Sequence, residues 1–195
     1  MSGFFSFKRR SLGRLLAMGL MAVAAGCAGP GRIGGEGPAF ERSGRFAVNV
    51  NEAGRSPEAV QGGFSWRDTG RVLRLDLVNP LGTTLARVTV DGSRAVLEKS
   101  DGSTETAPTA DALLEKVMGV SLPVSHLRSW LRGQPGPSAV NVERDAEGRA
   151  ASFSESGWQL RLSRYDAEGP GLLRAERRDG SRQISVRLAA DESAR

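Results

Sequence analysis

The sequence predicts a mainly β fold of the α+β class, in which a strongly curved or incompletely closed antiparallel sheet carries two helices across its concave side. The first observation is the alternation of apolar and polar residues along most of the chain from Arg45 onward, which is typical of half-buried strands. The second is a series of Asp-Gly turn signals between the apolar runs. The third is a pair of adjacent segments, residues 109–119 and 123–133, whose apolar residues follow the helical period.

The strands predicted before the helices are separated by turn residues, among them Asp68-Thr69-Gly70, Asp91-Gly92 and Asp101-Gly102. Each strand is recognised by apolar residues at every second position. These positions are Phe46, Val48 and Val50; Val60, Gly62, Phe64 and Trp66; Leu73, Leu75 and Leu77; Ala86, Val88 and Val90; and the strand around Val96.

Two helices and a second group of strands follow. Thr109 is a suitable N-cap for the first helix, and Gly119 is a natural stop. Pro123 opens the second helix, which ends before Gly133 and Pro135. The apolar positions of the two helices are Leu113, Leu114, Val117 and Met118 in the first and Leu127, Trp130 and Leu131 in the second. The later strands are indicated by Val140 and Val142; Phe153; Trp158, Leu160 and Leu162; Leu172 and Leu173; and Ile184, Val186 and Leu188.

The N-terminus has the composition of a lipoprotein signal peptide, predicted over residues 1–26. Basic residues precede an apolar run that is shorter than the roughly 20 residues needed to span a bilayer. Cys27, the only cysteine, directly follows Ala24-Ala25-Gly26, and this arrangement resembles a bacterial lipobox, in which the cysteine receives S-diacylglycerol and N-palmitoyl groups. An ordinary signal followed by a stray cysteine is the alternative. Residues 27–43 are predicted to be the lipidated cysteine with a flexible Gly/Pro-rich tether, and residues 44–195 the folded domain.

The charge of the chain is misleading until the signal is removed. The full sequence has 27 basic and 22 acidic side chains, a net charge of +5. Four of the basic residues lie within residues 1–26, which leaves 23 basic against 22 acidic side chains and a net charge of +1. Because no basic stripe with interleaved aromatic residues is present, a nucleic-acid partner is not expected.

Catalytic and metal-binding functions also have little support in the sequence. His126 is the sole histidine, and no Gly-x-Ser-x-Gly nucleophile motif is present. One histidine, one cysteine and scattered carboxylates match no zinc-ligand spacing. The sequence therefore predicts neither an enzyme nor a metal site, and no cofactor.

The loop between the third and fourth strands is unusual, because its central residue is apolar. Pro80 removes a strand hydrogen-bond donor and Gly82 permits unusual dihedral angles, so the strands must separate around Leu81. Leaving a leucine exposed forgoes about 2 kcal/mol of burial. Leu81 either protrudes into solvent or folds back onto the core as a loop anchor.

These features together resemble the LolB family, the outer-membrane receptors for lipoproteins. The resemblance extends from about Gly44 to Leu188, in addition to the lipidated N-terminus. It rests on the order of Phe64-Ser65-Trp66, Asn79-Pro80-Leu81-Gly82-Thr83-Thr84, Leu122-Pro123, Leu127, Trp130-Leu131-Arg132-Gly133, Pro135 and Ser156-Gly157-Trp158.

The resemblance implies a fold and a function. The fold is an unclosed antiparallel β-barrel with an α-helical lid over a hydrophobic cavity, similar to that of LolA and LolB. Periodicity alone does not distinguish a cavity from a solid core; the resemblance favours the cavity. The expected lining is Phe46, Val48, Phe64, Trp66, Leu75, Val88, Leu113, Val117, Leu127, Trp130 and Trp158.

The implied function is that of a receptor anchored in the outer membrane and facing the periplasm. It takes lipoproteins from a LolA-like periplasmic carrier, binds their acyl chains and inserts them into the inner leaflet. We expect a monomer, with Leu81, flanked by Pro80 and Gly82, entering the outer-membrane lipid during delivery. Two alternatives stay open: an outer-membrane assembly lipoprotein that binds protein partners through its sheet, and a soluble lipid carrier like LolA. Cys27 argues against the second alternative.

Overall fold

The computed structural model describes residues 39–118 and 123–192. Cys27, the signal peptide, residues 28–38 of the tether, Gly119 and Leu122 lie outside this part of the chain. The strands before the helices are β1 (Phe40–Glu52), β2 (Glu58–Asp68), β3 (Val72–Val78), β4 (Thr84–Asp91), β5 (Arg94–Lys99) and β6 (Thr104–Ala107). The remaining elements are α1 (Ala110–Met118), α2 (Val124–Trp130), β7 (Val140–Arg144), β8 (Ala150–Glu155), β9 (Trp158–Tyr165), β10 (Pro170–Asp179) and β11 (Arg182–Ala190).

All the strands in the described residues belong to one antiparallel sheet of eleven strands. Its order is β6-β5-β4-β3-β2-β1-β11-β10-β9-β8-β7, so the first and last strands meet near the centre. Phe46 lies opposite Leu188 and Val48 opposite Val186 in this pairing. β6 and β7 are the two edges of the sheet. The predicted unclosed antiparallel architecture is therefore confirmed, with the two helices inserted in sequence between the edge strands.

Alternation of side chains gives the sheet one apolar face. Successive strand residues point to opposite faces, and in β9 the burial pattern switches at each residue from Trp158 to Ser163. The buried face meets the helices, where the largest fully buried side chains include Trp66, Trp130 and Trp158. The core therefore lies between the concave side of the sheet and the helices.

The start of α1 and the end of α2 follow the predicted signals. Thr109 caps α1, because its Oγ1 accepts a hydrogen bond from the Ala112 N–H at 3.1 Å. α1 packs against β5 and β6 and contacts α2. At the end of α2, Gly133 adopts a φ of 71°, and its N–H donates to the carbonyl of Trp130. None of the helices among the described residues has the length and apolarity required to cross a membrane.

The structure corrects the predicted start of the folded domain. β1 begins at Phe40, so residues 40–43 are strand and not tether. The alternation was hidden because Arg42 occupies an inward position, where it is 3% exposed. Its guanidinium donates to both carboxylate oxygens of Asp166, at 2.9 and 2.8 Å, and to the Pro170 carbonyl at 2.8 Å.

Two further differences concern the sheet edges. β6 was not predicted, since its sequence Thr-Glu-Thr-Ala carries no alternating large apolar residues. β7 is present as predicted, but Val140 and Val142 are both exposed. Asn141 between them has a φ of 54°, so the regular alternation of side-chain directions is interrupted there.

Candidate functional site

An apolar cavity of about 410 Å³ lies between the sheet and the helices. This volume is within the range of pockets that bind small apolar ligands. Residues of eight strands and both helices line it: Phe46, Val48, Val60, Phe64, Trp66, Leu75, Leu77, Leu85, Ala86, Val88, Leu97, Lys99, Ser100, Asp101, Leu114, Val117, Pro123, Val124, Leu127, Trp130, Leu131, Trp158, Ala175, Val186 and Leu188. Among them, the polar side chains come from the end of β5 and the turn that follows it. The rest of the lining offers a ligand almost nothing but hydrocarbon and aromatic rings.

The structure brings ten of the eleven predicted lining residues together around this cavity. The exception is Leu113, which is fully buried in the hydrophobic core and does not line the cavity. The neighbouring α1 residues Leu114 and Val117 line it instead. Sequence periodicity finds the apolar side of α1, but it does not show which residues on that side border empty space.

Several lining residues were missing from the predicted set, although their signal was present. Leu77 and Ala86 occupy the same alternating positions as Leu75 and Val88 on β3 and β4. Two other lining residues, Val60 and Leu85, are 47% and 39% exposed. The cavity therefore reaches the surface beside these residues, and Leu85 follows Leu81 by only four positions along the chain.

The helix α2 is held against the sheet by two buried carboxylates. Glu155, at the end of β8, is 2% exposed and accepts hydrogen bonds from Trp130 Nε1 at 2.6 Å and Ser138 Oγ at 3.1 Å. Asp68, at the end of β2, is 1% exposed and lies 2.7 Å from Arg128 Nε. Because the contacts of Trp130 and Arg128 join α2 to buried strand ends, α2 forms a fixed part of the cavity wall.

The helix α1 is attached through more exposed groups. Ser125 Oγ donates to Asp111 at 2.6 Å, and Lys116 Nζ lies 2.7 Å from Glu105 on β6. The hydrogen bond from Lys116 lowers the pKa of the Glu105 carboxyl. This ion pair is complete above the ordinary carboxyl pKa and is lost as the pH falls through the lowered value. Exposed pairs of this kind contribute little stability, so the polar contacts of α1 fix its position less firmly than the buried polar contacts of α2 do.

We predict a clear difference between two substitutions at Glu155. Glu155→Ala leaves the Trp130 N–H without its acceptor at a site that is 0% exposed, and should lower the free energy of unfolding by about 2–3 kcal/mol. Glu155→Gln retains an acceptor oxygen, so its free energy of unfolding should fall much less. Urea unfolding of both variants measures the difference, and equal stabilities for the two would contradict this role of the carboxylate.

His126 belongs to the same region and contacts two serines and a tryptophan. Its Nδ1 lies 3.2 Å from Ser125 Oγ, and its Nε2 lies 3.1 Å from Ser156 Oγ. The centroid of its ring lies 5.6 Å from the centroid of the Trp130 ring. The histidine thus connects α2 to the turn between β8 and β9.

The loop between β3 and β4 presents Leu81 to solvent. The side chain is 91% exposed, so it does not fold back onto the core. The loop is nevertheless ordered by Asn79, whose Oδ1 accepts from the N–H groups of Leu81 and Thr83, both at 2.9 Å. Gly82 has a φ of 86°, a conformation that favours glycine. A well-defined turn therefore displays one large apolar side chain.

We predict that Asn79→Ala loosens this turn without unfolding the protein. The Leu81 and Thr83 N–H groups lose their acceptor, and because they are at the surface, water replaces it at a loss of about 1 kcal/mol or less. Hydrogen exchange of these two amides should accelerate. Asn79→Asp keeps an acceptor oxygen and is the matched control. Unchanged protection in the alanine variant would show that the side chain does not order the loop.

Comparison with known proteins shows a consistent set of relatives. Residues 38–192 match the family model described as "Outer membrane lipoprotein LolB". A protein from Bordetella petrii named "Outer-membrane lipoprotein LolB" is 50% identical over 182 residues, which is 91% of each chain. Proteins with the same name from Bordetella pertussis and Cupriavidus pinatubonensis are 48% and 39% identical, over 87% and 91% of this chain and 87% and 92% of theirs.

Among solved structures, a LolA superfamily protein from Nitrosomonas europaea is similar over 80% of this chain and 87% of its own, with a TM-score of 0.42 and 7% sequence identity.

Proposed function

Since the chain belongs to the LolB family of outer-membrane lipoproteins, we propose that it is the receptor that accepts lipoproteins from the periplasmic carrier LolA and inserts them into the inner leaflet of the outer membrane. The observation that carries the proposal is the apolar cavity beneath the two helices. A protein that only bound partners through its sheet would have no use for such a cavity, because interiors are otherwise close-packed.

The cavity addresses the physical difficulty of moving a lipoprotein through water. Each methylene group exposed to water is disfavoured by about 0.8 kcal/mol, so an acyl chain does not leave a membrane or carrier unaided. An apolar lining removes this penalty without forming a covalent bond, and no cofactor is required. Transfer proceeds in one direction if the receptor binds the chains more tightly than the carrier does, and the membrane binds them more tightly still.

Entry of an acyl chain into the cavity requires the lid formed by the two helices to move. The two helices differ in the polar contacts that hold them. α2 is fixed through Glu155 and Asp68, whereas the polar contacts of α1 are exposed. We therefore assign the opening motion to α1, with α2 as the stationary wall. The surface opening at Val60 and Leu85 gives the chains an exit beside the loop that carries Leu81.

Delivery then depends on where the receptor is held and on what touches the bilayer. Acylation of Cys27 would anchor the chain at the membrane, with the segment before β1 as the tether. Leu81, the most exposed large apolar side chain in the described part of the chain, is the group that would enter the inner leaflet. In this proposal the anchor sets the location, the cavity carries the acyl chains, and the loop perturbs the lipid while the cargo leaves.

Binding of a fluorescent fatty-acid analogue tests the proposed cavity function. The chain carrying Cys27→Ala, which cannot be acylated, should bind the analogue saturably, with a blue-shifted emission as the probe leaves water. Fatty acid should displace the probe, whereas a short soluble alcohol should not. An absence of saturable binding would favour the assembly lipoprotein that uses its sheet to bind protein partners.

A further inference from the structure

The outer face of the sheet carries a row of arginines in direct cross-strand register. Arg161 on β9 lies opposite Arg174 on β10, which in turn lies opposite Arg187 on β11. The row continues through Ala47 on β1 to Gln61 on β2. Since neighbouring strands are about 4.8 Å apart, three exposed guanidinium groups follow one another across adjacent strands.

This row is electrostatically unfavourable in the isolated protein, because like charges directly opposite each other on a sheet repel. Within the described residues, no carboxylate forms an ion pair with Arg161, Arg174 or Arg187. Glu176 is two positions from Arg174 along β10. Glu143 accepts a hydrogen bond from Ser152, the residue opposite Arg161. An anion lying across the row would relieve the repulsion.

A groove connects the row to the loop that carries Leu81. Arg187 and Arg45 lie on one side of the groove, with Asn79, Pro80 and Gly82 of the loop on the other. It encloses about 690 Å³ and also contains the carboxylate of Asp191, which accepts a hydrogen bond from Ser43 Oγ at 3.2 Å.

The floor of the groove is formed by Gly62 and Gly63 of β2, where β2 and β3 approach closely. A Cβ on Gly63 would lie 2.6 Å from Cγ2 of Val78. Arg45, Gly63 and Val78 are paired in register across three strands. Two strand spacings therefore separate the backbones of Arg45 and Val78, the last residue of β3, which is a distance of about 10 Å.

We propose that Arg45, Arg161, Arg174 and Arg187 bind the phosphate groups of anionic phospholipids while Leu81 is in the bilayer. An exposed leucine next to a cationic surface matches the membrane interface, where hydrocarbon lies beneath a layer of phosphates. Guanidinium groups bind phosphate through paired hydrogen bonds. The inference rests on the proposed delivery function for the contact between Leu81 and lipid. An acidic protein surface fits the charge but not the adjoining leucine, so the membrane is the favoured partner.

Vesicle flotation tests the inference without requiring cargo. The chain carrying Cys27→Ala should bind vesicles of phosphatidylcholine mixed with phosphatidylglycerol more tightly than vesicles of phosphatidylcholine alone, and added salt should reduce the difference. Arg174→Gln with Arg187→Gln should weaken binding to the anionic vesicles by at least about tenfold, since each arginine near such a surface contributes roughly fivefold. The double variant should also unfold at a higher temperature, because repulsion within the row is reduced.

Arg71→Gln with Arg94→Gln is the matched control, since it makes the same charge change at two exposed arginines, just before β3 and at the start of β5, at the end of these strands away from Leu81. It should bind anionic vesicles like the unaltered chain. Equal losses for the two double variants, or no preference of the unaltered chain for anionic vesicles, would overturn the inference.

A second readout separates this inference from the function on which it rests. The acylated chain is given cargo by the carrier in the presence of each kind of vesicle. If no cargo reaches either kind, the delivery function itself is wrong. If cargo is delivered and the double variant Arg174→Gln with Arg187→Gln binds anionic vesicles normally, the proposed role of the arginines in lipid binding is wrong. Normal vesicle binding with slower uptake from the carrier would assign the row to a protein partner and overturn the membrane inference.

Discussion

Leu81→Glu should leave the protein folded and able to accept cargo, yet reduce insertion of that cargo into vesicles by about a hundredfold or more. The leucine is 91% exposed, so its replacement removes almost no packing. In contact with lipid, however, about 2 kcal/mol of favourable burial is lost and a charge must be placed near hydrocarbon, which is disfavoured by a further few kcal/mol.

The measurement follows the cargo in two stages, first from the carrier to the receptor and then into liposomes. Leu81→Met is the matched control, because it keeps a large apolar side chain, and it should insert cargo at nearly the normal rate. Thermal unfolding of both variants establishes that the fold is retained. Normal insertion by the glutamate variant would rule out a membrane role for this loop, whatever happens at the first stage.

Ala86→Trp should abolish the first stage while preserving the fold. Ala86 borders the cavity from β4, opposite Leu77 of β3. A tryptophan there can occupy the open space, which is about 410 Å³, so the overpacking that would destabilise a solid core is largely avoided. Affinity for the fatty-acid analogue should fall by at least about tenfold, the loss expected when 1.4 kcal/mol of acyl-chain contact is excluded.

Ala59→Trp is the control for the added bulk. Ala59 is exposed on β2, where it lies opposite Asn49 and does not border the cavity. It should bind the analogue like the unaltered chain. Undiminished binding by Ala86→Trp, in a variant that remains folded, would place the acyl chain somewhere other than this cavity.

The fold could be predicted from the sequence largely because one face of the sheet is buried. Alternation at Phe46 and Val48, or at Leu73 and Leu75, reports directly on which side chains leave water. The prediction failed where a buried position is polar or where the pattern is too short. Arg42 concealed the first residues of β1, because a buried arginine interrupts the apolar alternation. The four-residue β6 contains no alternating large apolar residues.

Much of the site depended on contacts that periodicity does not encode. A pattern of apolar residues does not separate Leu113, which is buried among other side chains, from Leu114, which borders the cavity. Glu155 and Asp68 look like ordinary surface carboxylates in the sequence, yet both are buried beneath α2. Their roles follow from the pairing of distant strands and helices, as does the register that aligns the arginines of the outer face.

The sequence left two orientations open for Leu81, since an isolated apolar loop residue usually packs onto the core. The turn built by Asn79 accounts for the outcome, because it fixes the backbone in a conformation that directs the leucine outward. A motif read from the sequence thus specified the residue, while the hydrogen bonds of the loop specified its orientation.

Transfer of cargo from the carrier tests the central claim most directly. A purified LolA–lipoprotein complex is mixed with the chain carrying Cys27→Ala, and the protein that holds the lipoprotein is identified after separation. The cavity account predicts that the lipoprotein moves to this chain, and that it stays with the carrier when the chain also carries Ala86→Trp. Retention by the carrier in both cases, or equal transfer to both chains, would contradict the claim that the cavity receives the acyl chains.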